Sequence, residues 1–341
     1  MPSGPVHRDR IAIVGASTLL GKELKRVLED RNFPSSEIVL LDTSEAAGTL
    51  TEAGGEPTFV RALDEDSFEQ SRFVFFAGTP ADARENVSAA LESGATAIDL
   101  TGGALESTGG VISIPSLSTV LLPVPSKPAV AGAVYFSPAA PVLIACTVSA
   151  ALAKFSPPHV AITLFPPVSE FQQAGVDELE SQTAGLLSFR SFSQTTFDEQ
   201  VAFNLLDRLG EAAHPSLEEA RRKISSATAQ FLAGRAPVPA IQLIQAPIFY
   251  GYTFSACAEL ASAPHAEQLH AAFSSLGVRI VSADDPGPSN VSVAGEAEIH
   301  ISQIRPDDSH ASAFWIWGAA DNLRLAAANS VRIAEDLLAK Q

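Results

Sequence analysis

Short apolar runs alternate with amphipathic stretches over the first hundred residues of the chain. Apolar runs rich in β-branched or aromatic residues are typical of buried parallel strands, and they occupy residues 11–14, 37–42, 72–78 and 95–100. Helical spacing of apolar positions, which predicts one buried helix face, occurs at 22–29 and 81–94. An alternation of strand and helix predicts a doubly wound parallel sheet, and therefore an α/β fold of the Rossmann type.

The turn after the first predicted strand is where such a sheet binds a dinucleotide, because backbone N–H groups at the following helix N-terminus face the pyrophosphate. Gly15 and Gly21 match the outer glycines of a G-x-x-G-x-x-G turn, while Thr18 stands at the middle position, where its Cβ keeps the backbone farther from a phosphate. The predicted cofactor-binding residues are Gly15, Ser17, Thr18, Leu19, Leu20, Gly21 and Gly78. A tight turn that binds no ligand is the alternative interpretation of the same residues.

The composition is that of a folded protein with an acidic surface. Hydrophobic residues make up 46% of the 341 residues and charged residues 18%, which is ample for a sizeable core. Because 39 Asp and Glu outnumber 22 Lys and Arg, the formal net charge is −17, and neither nucleic acid nor an anionic membrane surface is an expected partner. No apolar run approaches the length of a membrane helix and no export signal is recognisable, so a cytoplasmic protein is expected.

The cysteines and histidines do not predict a disulfide framework or a metal site. With two cysteines, Cys146 and Cys257, the chain cannot hold a disulfide scaffold or a zinc site built from cysteine. The seven histidines are scattered, and none stands in a His-x-x-x-His or His-Glu pair, so no metal ligands are expected.

Short segments spread along the chain occur in a characteristic order and spacing: 11–17, 27–34, 41–48, 76–78, 97–99, 168–169 with 174–175, 178–183, 202–205, 247–251, and 320–323 with 328–329. In that order they resemble the aspartate-semialdehyde dehydrogenases, and the resemblance covers nearly the whole chain. It implies an N-terminal NAD(P)-binding Rossmann domain over residues 1–133 and an α+β catalytic and dimerisation domain over residues 134–319. It also implies that a C-terminal helix within residues 320–341 packs back onto the first domain, and that the protein is a homodimer.

The chemistry of that family depends on four side chains, whose positions the resemblance assigns to Ala140, Pro166, Gln245 and Tyr252. The family reduces an aspartyl phosphate to the semialdehyde with hydride from NADPH. It uses a cysteine nucleophile, a glutamine that orients the acyl group, an arginine that binds the substrate carboxylate and a histidine acid–base, in that order along the chain. Here those four positions hold alanine, proline, glutamine and tyrosine, which implies a catalytically depleted bacterial homologue.

The resemblance also implies substitutions at positions that hold anions. Leu105 aligns with the arginine that binds the substrate phosphate, and Ser225 with a glutamate near the substrate ammonium group. Glu45 aligns with the arginine that contacts the 2′-phosphate of NADP, and Asp42 lies close by in the sequence. Two carboxylates repel a phosphate dianion, so binding of NAD or NADP is expected to be weak or absent, with NAD favoured. Arg221 is a candidate anion contact, with a plain surface role as the alternative.

A rival alignment makes Cys146 the nucleophile. Residues 145–149 read Ala-Cys-Thr-Val-Ser and resemble the Asn-Cys-Thr-Val-Ser around the nucleophile in one branch of the family. That alignment requires a deletion between Cys146 and Pro166, and it still leaves Gln245 and Tyr252 in place of the arginine and the histidine. The other interpretation is that Cys146 lies about two turns into an apolar helix and packs in the core.

These observations leave three hypotheses. The first is a non-catalytic, homodimeric binding protein with a small-molecule ligand in the vestigial cleft. The second is an enzyme with altered chemistry in the same cleft, using Tyr252, Gln245 or Cys146. The third is a working NAD(P)-dependent semialdehyde dehydrogenase that acts on an acyl phosphate or aldehyde in amino-acid biosynthesis, which requires a different alignment of the reaction residues.

Overall fold

The computed structural model describes residues 9–53, 56–64, 66–118, 120–121, 133–261 and 264–340. The chain forms two compact units that divide between residues 139 and 140 and between residues 325 and 326. The first unit holds the chain up to residue 115, the segment that ends at 139, and the chain from 326 onwards. The second unit holds residues 140–325 and a short piece at 116–122.

The first unit is built on a parallel sheet. The strands of this part of the chain are β1 (Asp9–Val14), β2 (Ser35–Asp42), β3 (Leu50–Ala53), β4 (Glu56–Phe59), β5 (Arg61–Ala62), β6 (Ser71–Phe76), β7 (Thr96–Asp99), β8 (Val111–Ile112) and β9 (Val134–Phe136). The sheet order among the described residues is β5-β2-β1-β6-β7-β9-β8 with parallel pairings, and β3 and β4 form a separate antiparallel hairpin. The predicted doubly wound parallel sheet is confirmed.

Helices connect these strands, as a parallel sheet requires. They are α1 (Leu19–Asp30), α2 (Pro80–Glu92), α3 (Leu105–Thr108) and α4 (Pro115–Ser118). The central strands are buried on both faces, since Ile11, Ala12 and Ile13 are all fully buried in β1. This explains why the strands of this sheet are continuous apolar runs in the sequence and do not alternate with polar residues.

The second unit is built on a mixed sheet. Its strands are β10 (His159–Phe165), β11 (Ala240–Leu243), β12 (Tyr252–Glu259), β13 (Arg279–Ile280), β14 (His300–Ile301), β15 (Arg305–Pro306) and β16 (Ala313–Ala320). Their order is β11-β10-β12-β16-β14-β13, with β15 paired to β16. The helices are α5 (Ala140–Leu152), α6 (Gln172–Leu187), α7 (Leu217–Leu232), α8 (Ala266–Ser274) and α9 (Asn322–Ala339), and α9 passes from the second unit into the first at Ala326.

The two faces of the mixed sheet differ in burial. Along β12, Phe254 and Ala256 are fully buried, while the alternate residues are partly exposed. On the exposed side, Trp315 and Trp317 of β16 are 44% and 38% exposed and stand opposite Cys257 and Ser255 of β12. We call this side the open face and define it by Phe165, Ser255, Cys257, Trp315 and Trp317.

Helix α5 is the most apolar helix of the second unit. All thirteen of its residues are buried, and it packs against α7 and α8. Within the described ranges, no helix combines the length and the apolar character that crossing a bilayer would require.

Candidate active site

The turn between β1 and α1 packs closely against the turn that follows β6. Gly15 has a φ of +81°, and a Cβ built on it would lie 2.2 Å from Cα of Gly78. A Cβ on Gly21 would lie 2.1 Å from the carbonyl oxygen of Gly15. The fold therefore requires glycine at positions 15 and 21 whether or not a dinucleotide binds there.

Thr18 caps α1 at the middle of this turn. Its Oγ1 accepts a hydrogen bond from Gly21 N at 2.9 Å, and it lies 2.8 Å from Gly15 O and 2.9 Å from Ala77 O, to one of which it donates. The N–H groups of Leu19 and Leu20 have no acceptor within the described part of the chain. These two amides are the donors that the start of α1 leaves for an anion.

Asp42, the last residue of β2, is bonded to the same turn. Its Oδ2 accepts a hydrogen bond from Ser17 N at 2.7 Å, and its Oδ1 accepts one from Thr43 N at 2.8 Å. The N–H of Ser17 is therefore already occupied, and the carboxylate places a negative charge beside the turn. Glu45, exposed in the loop after β2, adds a second acidic side chain there.

The four positions assigned to the reaction lie at the ends of elements in the second unit. Ala140 is the first residue of α5, Pro166 directly follows β10, Gln245 lies two residues after β11, and Tyr252 begins β12. All four residues are buried. Because β10 pairs in parallel with β11 and antiparallel with β12, the last three positions meet at one edge of the sheet.

Gln245 is hydrogen-bonded to the backbone at Pro166, the neighbouring reaction position. Its Nε2 donates to the carbonyl oxygens of Pro166 and Ala246, each at 3.0 Å. Its Oε1 is buried and has no hydrogen-bond partner among the described residues. A neutral amide bonded to the backbone cannot replace the bidentate charge of a guanidinium. Ala140 contributes a methyl group and takes no part in this contact.

A buried polar network surrounds Tyr252. Asn322 Nδ2 lies 3.1 Å from both Ser169 Oγ and Glu170 Oε1, and its Oδ1 accepts a hydrogen bond from Gly251 N at 2.9 Å. The Tyr252 hydroxyl is hydrogen-bonded to the Glu170 carboxylate. The sequence did not predict Ser169, Glu170 and Asn322 as site residues. The available signal was that Ser169 and Asn322 lie within segments that carry the family resemblance, and that Glu170 directly follows one of them.

The network keeps Tyr252 protonated. Burial raises the pKa of Tyr252 well above its usual range, and the charge of Glu170 raises it further. Burial also raises the pKa of Glu170, against the smaller lowering effects of its hydrogen bonds to Asn322 and Tyr252. Glu170 is exposed as a whole residue, but its carboxylate contacts the buried amide of Asn322. A phenol in this state is no general base near neutral pH.

Cys146, the rival nucleophile, lies in the interior of α5. It is the seventh residue of the helix and is 0% exposed. Burial raises the pKa of its thiol to about 12, and the opposing effects of Thr228 and Arg235 are smaller. Because the thiolate is the reactive form, a thiol in this environment is a poor nucleophile.

The positions assigned to anion contacts lack a free cation. Leu105 begins α3, and Ser225 is half-buried on α7. Arg221 forms a bidentate pair with Glu218, with Nε–Oε2 and Nη2–Oε1 distances of 2.8 and 2.7 Å. An anion at Arg221 would have to compete with that carboxylate.

The first unit defines the class of this protein, which is an oxidoreductase fold with a Rossmann-type NAD(P)-binding sheet. The semialdehyde dehydrogenase NAD binding domain matches residues 10–120. The semialdehyde dehydrogenase dimerisation domain matches residues 156–325. The chain therefore belongs to the aspartate-semialdehyde dehydrogenase family, as the resemblance implied.

Individual relatives match over almost their whole length. A USG-1 protein homolog from Azotobacter vinelandii is 31% identical over 97% of this chain and 98% of its own. The aspartate-semialdehyde dehydrogenase of Rickettsia bellii is 27% identical over 96% of this chain and 97% of its own. A solved structure of a probable aspartate-semialdehyde dehydrogenase from Pseudomonas aeruginosa superposes with a TM-score of 0.84 at 26% identity, over 98% of this chain and 99% of that one.

Proposed function

We propose that this chain is a non-catalytic, homodimeric member of its family that has kept the fold for binding. The observation that carries the proposal is the content of the four reaction positions, which hold a methyl group, a pyrrolidine ring, a neutral amide and a phenol. Thioester chemistry needs a thiol at the first of these positions, and the acid–base step needs a group that titrates near neutral pH.

The groups that could substitute for the missing ones support the same proposal. The thiol of Cys146 lies inside α5 with its pKa raised to about 12 by burial. The amide of Gln245 is bonded to backbone carbonyls, and the hydroxyl of Tyr252 is bonded to Glu170. Each of these side chains is therefore already engaged in contacts within the second unit. Because the reaction residues of this family act together, replacing only some of them does not restore turnover.

Dinucleotide binding is proposed to be weak, with NAD favoured over NADP. The start of α1 still offers the N–H groups of Leu19 and Leu20, which supports a residual affinity for a pyrophosphate. Asp42 and Glu45 bring negative charge to the end of β2, where the 2′-phosphate of NADP would lie in a Rossmann fold.

The homodimer is proposed to form through the open face. The dimerisation-domain match covers in full the three strands, β10, β12 and β16, that carry the five residues of the open face. Two tryptophans that are 44% and 38% exposed lie two positions apart on β16. Exposed tryptophans on a sheet face are typical of protein–protein contacts.

Turnover by the purified chain tests the proposal directly. Aspartate semialdehyde, phosphate and either NADP or NAD are supplied, and the absorbance of the reduced nicotinamide is followed, with the Rickettsia bellii relative as positive control. The expected rate is that of the enzyme-free mixture. Turnover of about 1 s⁻¹ would contradict the proposal. In that event, loss of activity in Cys146→Ala would support the rival alignment, and loss in Tyr252→Phe would support altered chemistry in the same cleft.

A further inference from the structure

Two glutamates and a histidine meet at the start of β14. One carboxylate oxygen of Glu296, one of Glu298 and a ring nitrogen of His300 lie within 4.8 Å of one another. The sequence did not predict this cluster, because its Glu-x-Glu-x-His pattern differs from the His-x-x-x-His and His-Glu pairs that indicate a metal site. The chain bends at residues 297 and 298 before it enters β14 at His300, and the three side chains come together at this bend.

The backbone under this cluster is fixed at both ends. At its C-terminal end, His300 pairs with Arg279 of β13 and with Ala319 of β16. At its N-terminal end, Gly295 N donates a hydrogen bond to Asp321 Oδ2 at 2.8 Å. The segment that carries the three side chains is therefore held at both of its ends, by the sheet at His300 and by Asp321 at Gly295.

His300 is the buried member of the cluster. The residue is 4% exposed, and its Nε2 is buried without a hydrogen-bond partner among the described residues. Buried polar nitrogens without a partner are rare in folded proteins because the lost contact with water is not replaced. An imidazole nitrogen beside two carboxylates is a donor set that suits a cation.

We propose that Glu296, Glu298 and His300 bind one divalent transition-metal ion. An ion centred in a triangle with sides of at most 4.8 Å would lie no more than about 2.8 Å from each ligand atom, and zinc bonds to nitrogen and oxygen are about 2.0–2.2 Å long. Small rotations of the two solvent-accessible glutamates close that gap while the buried imidazole stays in place. An imidazole with two carboxylates selects zinc, cobalt or nickel over magnesium and calcium.

Arg279 opposes the site. It is exposed, stands beside His300 in the neighbouring strand, and its charge acts on the imidazole. Its guanidinium repels a cation, so the affinity of the wild-type protein is limited. Replacing Arg279 by glutamine is expected to strengthen metal binding.

Isothermal titration of the metal-stripped full chain with Zn²⁺ tests the proposal, independently of whether the protein is catalytic. One ion per chain is expected, with binding at least tenfold weaker in Glu296→Gln/Glu298→Gln and in His300→Ala, and tighter in Arg279→Gln. The double glutamine variant is decisive if His300→Ala fails to fold, because both glutamates are accessible to solvent. The control is Asp307→Asn/His310→Gln, which removes another acid–histidine pair, 3.5 Å apart, and should bind as the wild type does.

Cobalt(II) supplies a second readout. The visible spectrum of the Co²⁺-loaded wild type should differ from that of His300→Ala, since an imidazole nitrogen has left the metal. Absence of Zn²⁺ binding overturns the proposal. So does equal binding by the wild type and the double glutamine variant, which would mean non-specific attraction to a chain of charge −17.

Discussion

The glycine turn of the first unit (residues 15–21) keeps the two outer glycines of its pattern, and the four reaction positions of the second unit do not keep the residue types that the family resemblance implies. The turn keeps Gly15 and Gly21, and the fold requires both, since a Cβ at Gly15 would lie 2.2 Å from Cα of Gly78. The reaction positions, as the resemblance assigns them, hold none of the four expected side chains. The difference separates residues that a fold needs from residues that a reaction needs.

Glycines at positions 15 and 21 do not by themselves indicate that the turn binds a dinucleotide. A backbone that folds only with glycine keeps its glycines even when no ligand selects for them. Side chains at the reaction positions are free to change once the reaction is lost, provided that they still pack and bond. Gln245 and Tyr252 do both, through Pro166 O and Glu170.

The largest expected effect is the loss of stability in Gly15→Ala. The left-handed φ of +81° is strained for alanine, and the added Cβ meets backbone atoms of Gly78 that cannot move aside cheaply. We expect the free energy of unfolding to fall by about 3–5 kcal/mol, as strain and overpacking add. Chemical denaturation followed by circular dichroism measures it.

Gly94→Ala is the matched control. Gly94 has a φ of +83° and nothing within 4 Å of a Cβ, so it isolates the backbone strain. A loss of about 1–2 kcal/mol is expected there. If both variants lost the same free energy of unfolding, the steric requirement at Gly15 would be wrong. A ligand would then be the better explanation for a glycine at this position.

The first sheet was predictable from sequence because its central strands are buried on both faces and leave a continuous apolar signal, as at Ile11, Ala12 and Ile13. The network at Tyr252 was not. Glu170 and Asn322 are 152 positions apart and meet because β12 pairs with both β10 and β16, in the registers Phe165↔Thr253 and Tyr252↔Ala320. Such contacts depend on sheet register, which single-residue patterns do not encode.

The next largest effect concerns the open face. A surface that is used for dimerisation is expected to be retained even where the side chains of a reaction are not. Trp317→Asp should convert the proposed homodimer into a monomer, with a dimer dissociation constant at least about a hundredfold higher, because a charge would be buried in the contact. Sedimentation velocity over a concentration series measures it.

Two variants make the result at Trp317 specific. Trp317→Phe keeps the ring and loses the hydrogen bond from Nε1 to Pro288 O, so it should remain dimeric. Leu50→Asp places the same charge on an exposed residue of β3 in the first unit and should leave the mass unchanged. A wild-type chain that sediments as a monomer would sink the dimer proposal outright.

A smaller effect is expected from pH, through Glu170. Because burial raises the pKa of Glu170, the folded protein binds its proton more tightly than the unfolded chain does. This contribution to stability is complete below the ordinary value of 4.5 and is lost as the pH rises through the raised value. Relative to Glu170→Gln, the wild type should lose stability as the pH rises above 4.5.

Denaturant unfolding across that pH range measures the effect at Glu170. Glu180→Gln, an exposed residue of α6, is the control for the change in net charge. If the stability difference between wild type and Glu170→Gln stayed constant with pH, the carboxylate of Glu170 would be solvated. Glu170 and Tyr252 would then not form a desolvated pair.

The smallest expected effect tests whether the glycine turn still binds. Glu45→Arg places a cation after β2, at the position aligned with the family's 2′-phosphate contact, and should raise the affinity for NADP over NAD by about threefold to tenfold. Isothermal titration with both dinucleotides measures the ratio. Glu92→Arg, the same charge change on an exposed residue at the end of α2, should leave that ratio unaltered. A selective gain in Glu45→Arg would mean that the Leu19 and Leu20 amides still hold a pyrophosphate and that this part of the site lacks only its cation. No measurable binding by either variant would mean that the turn survives for the fold alone.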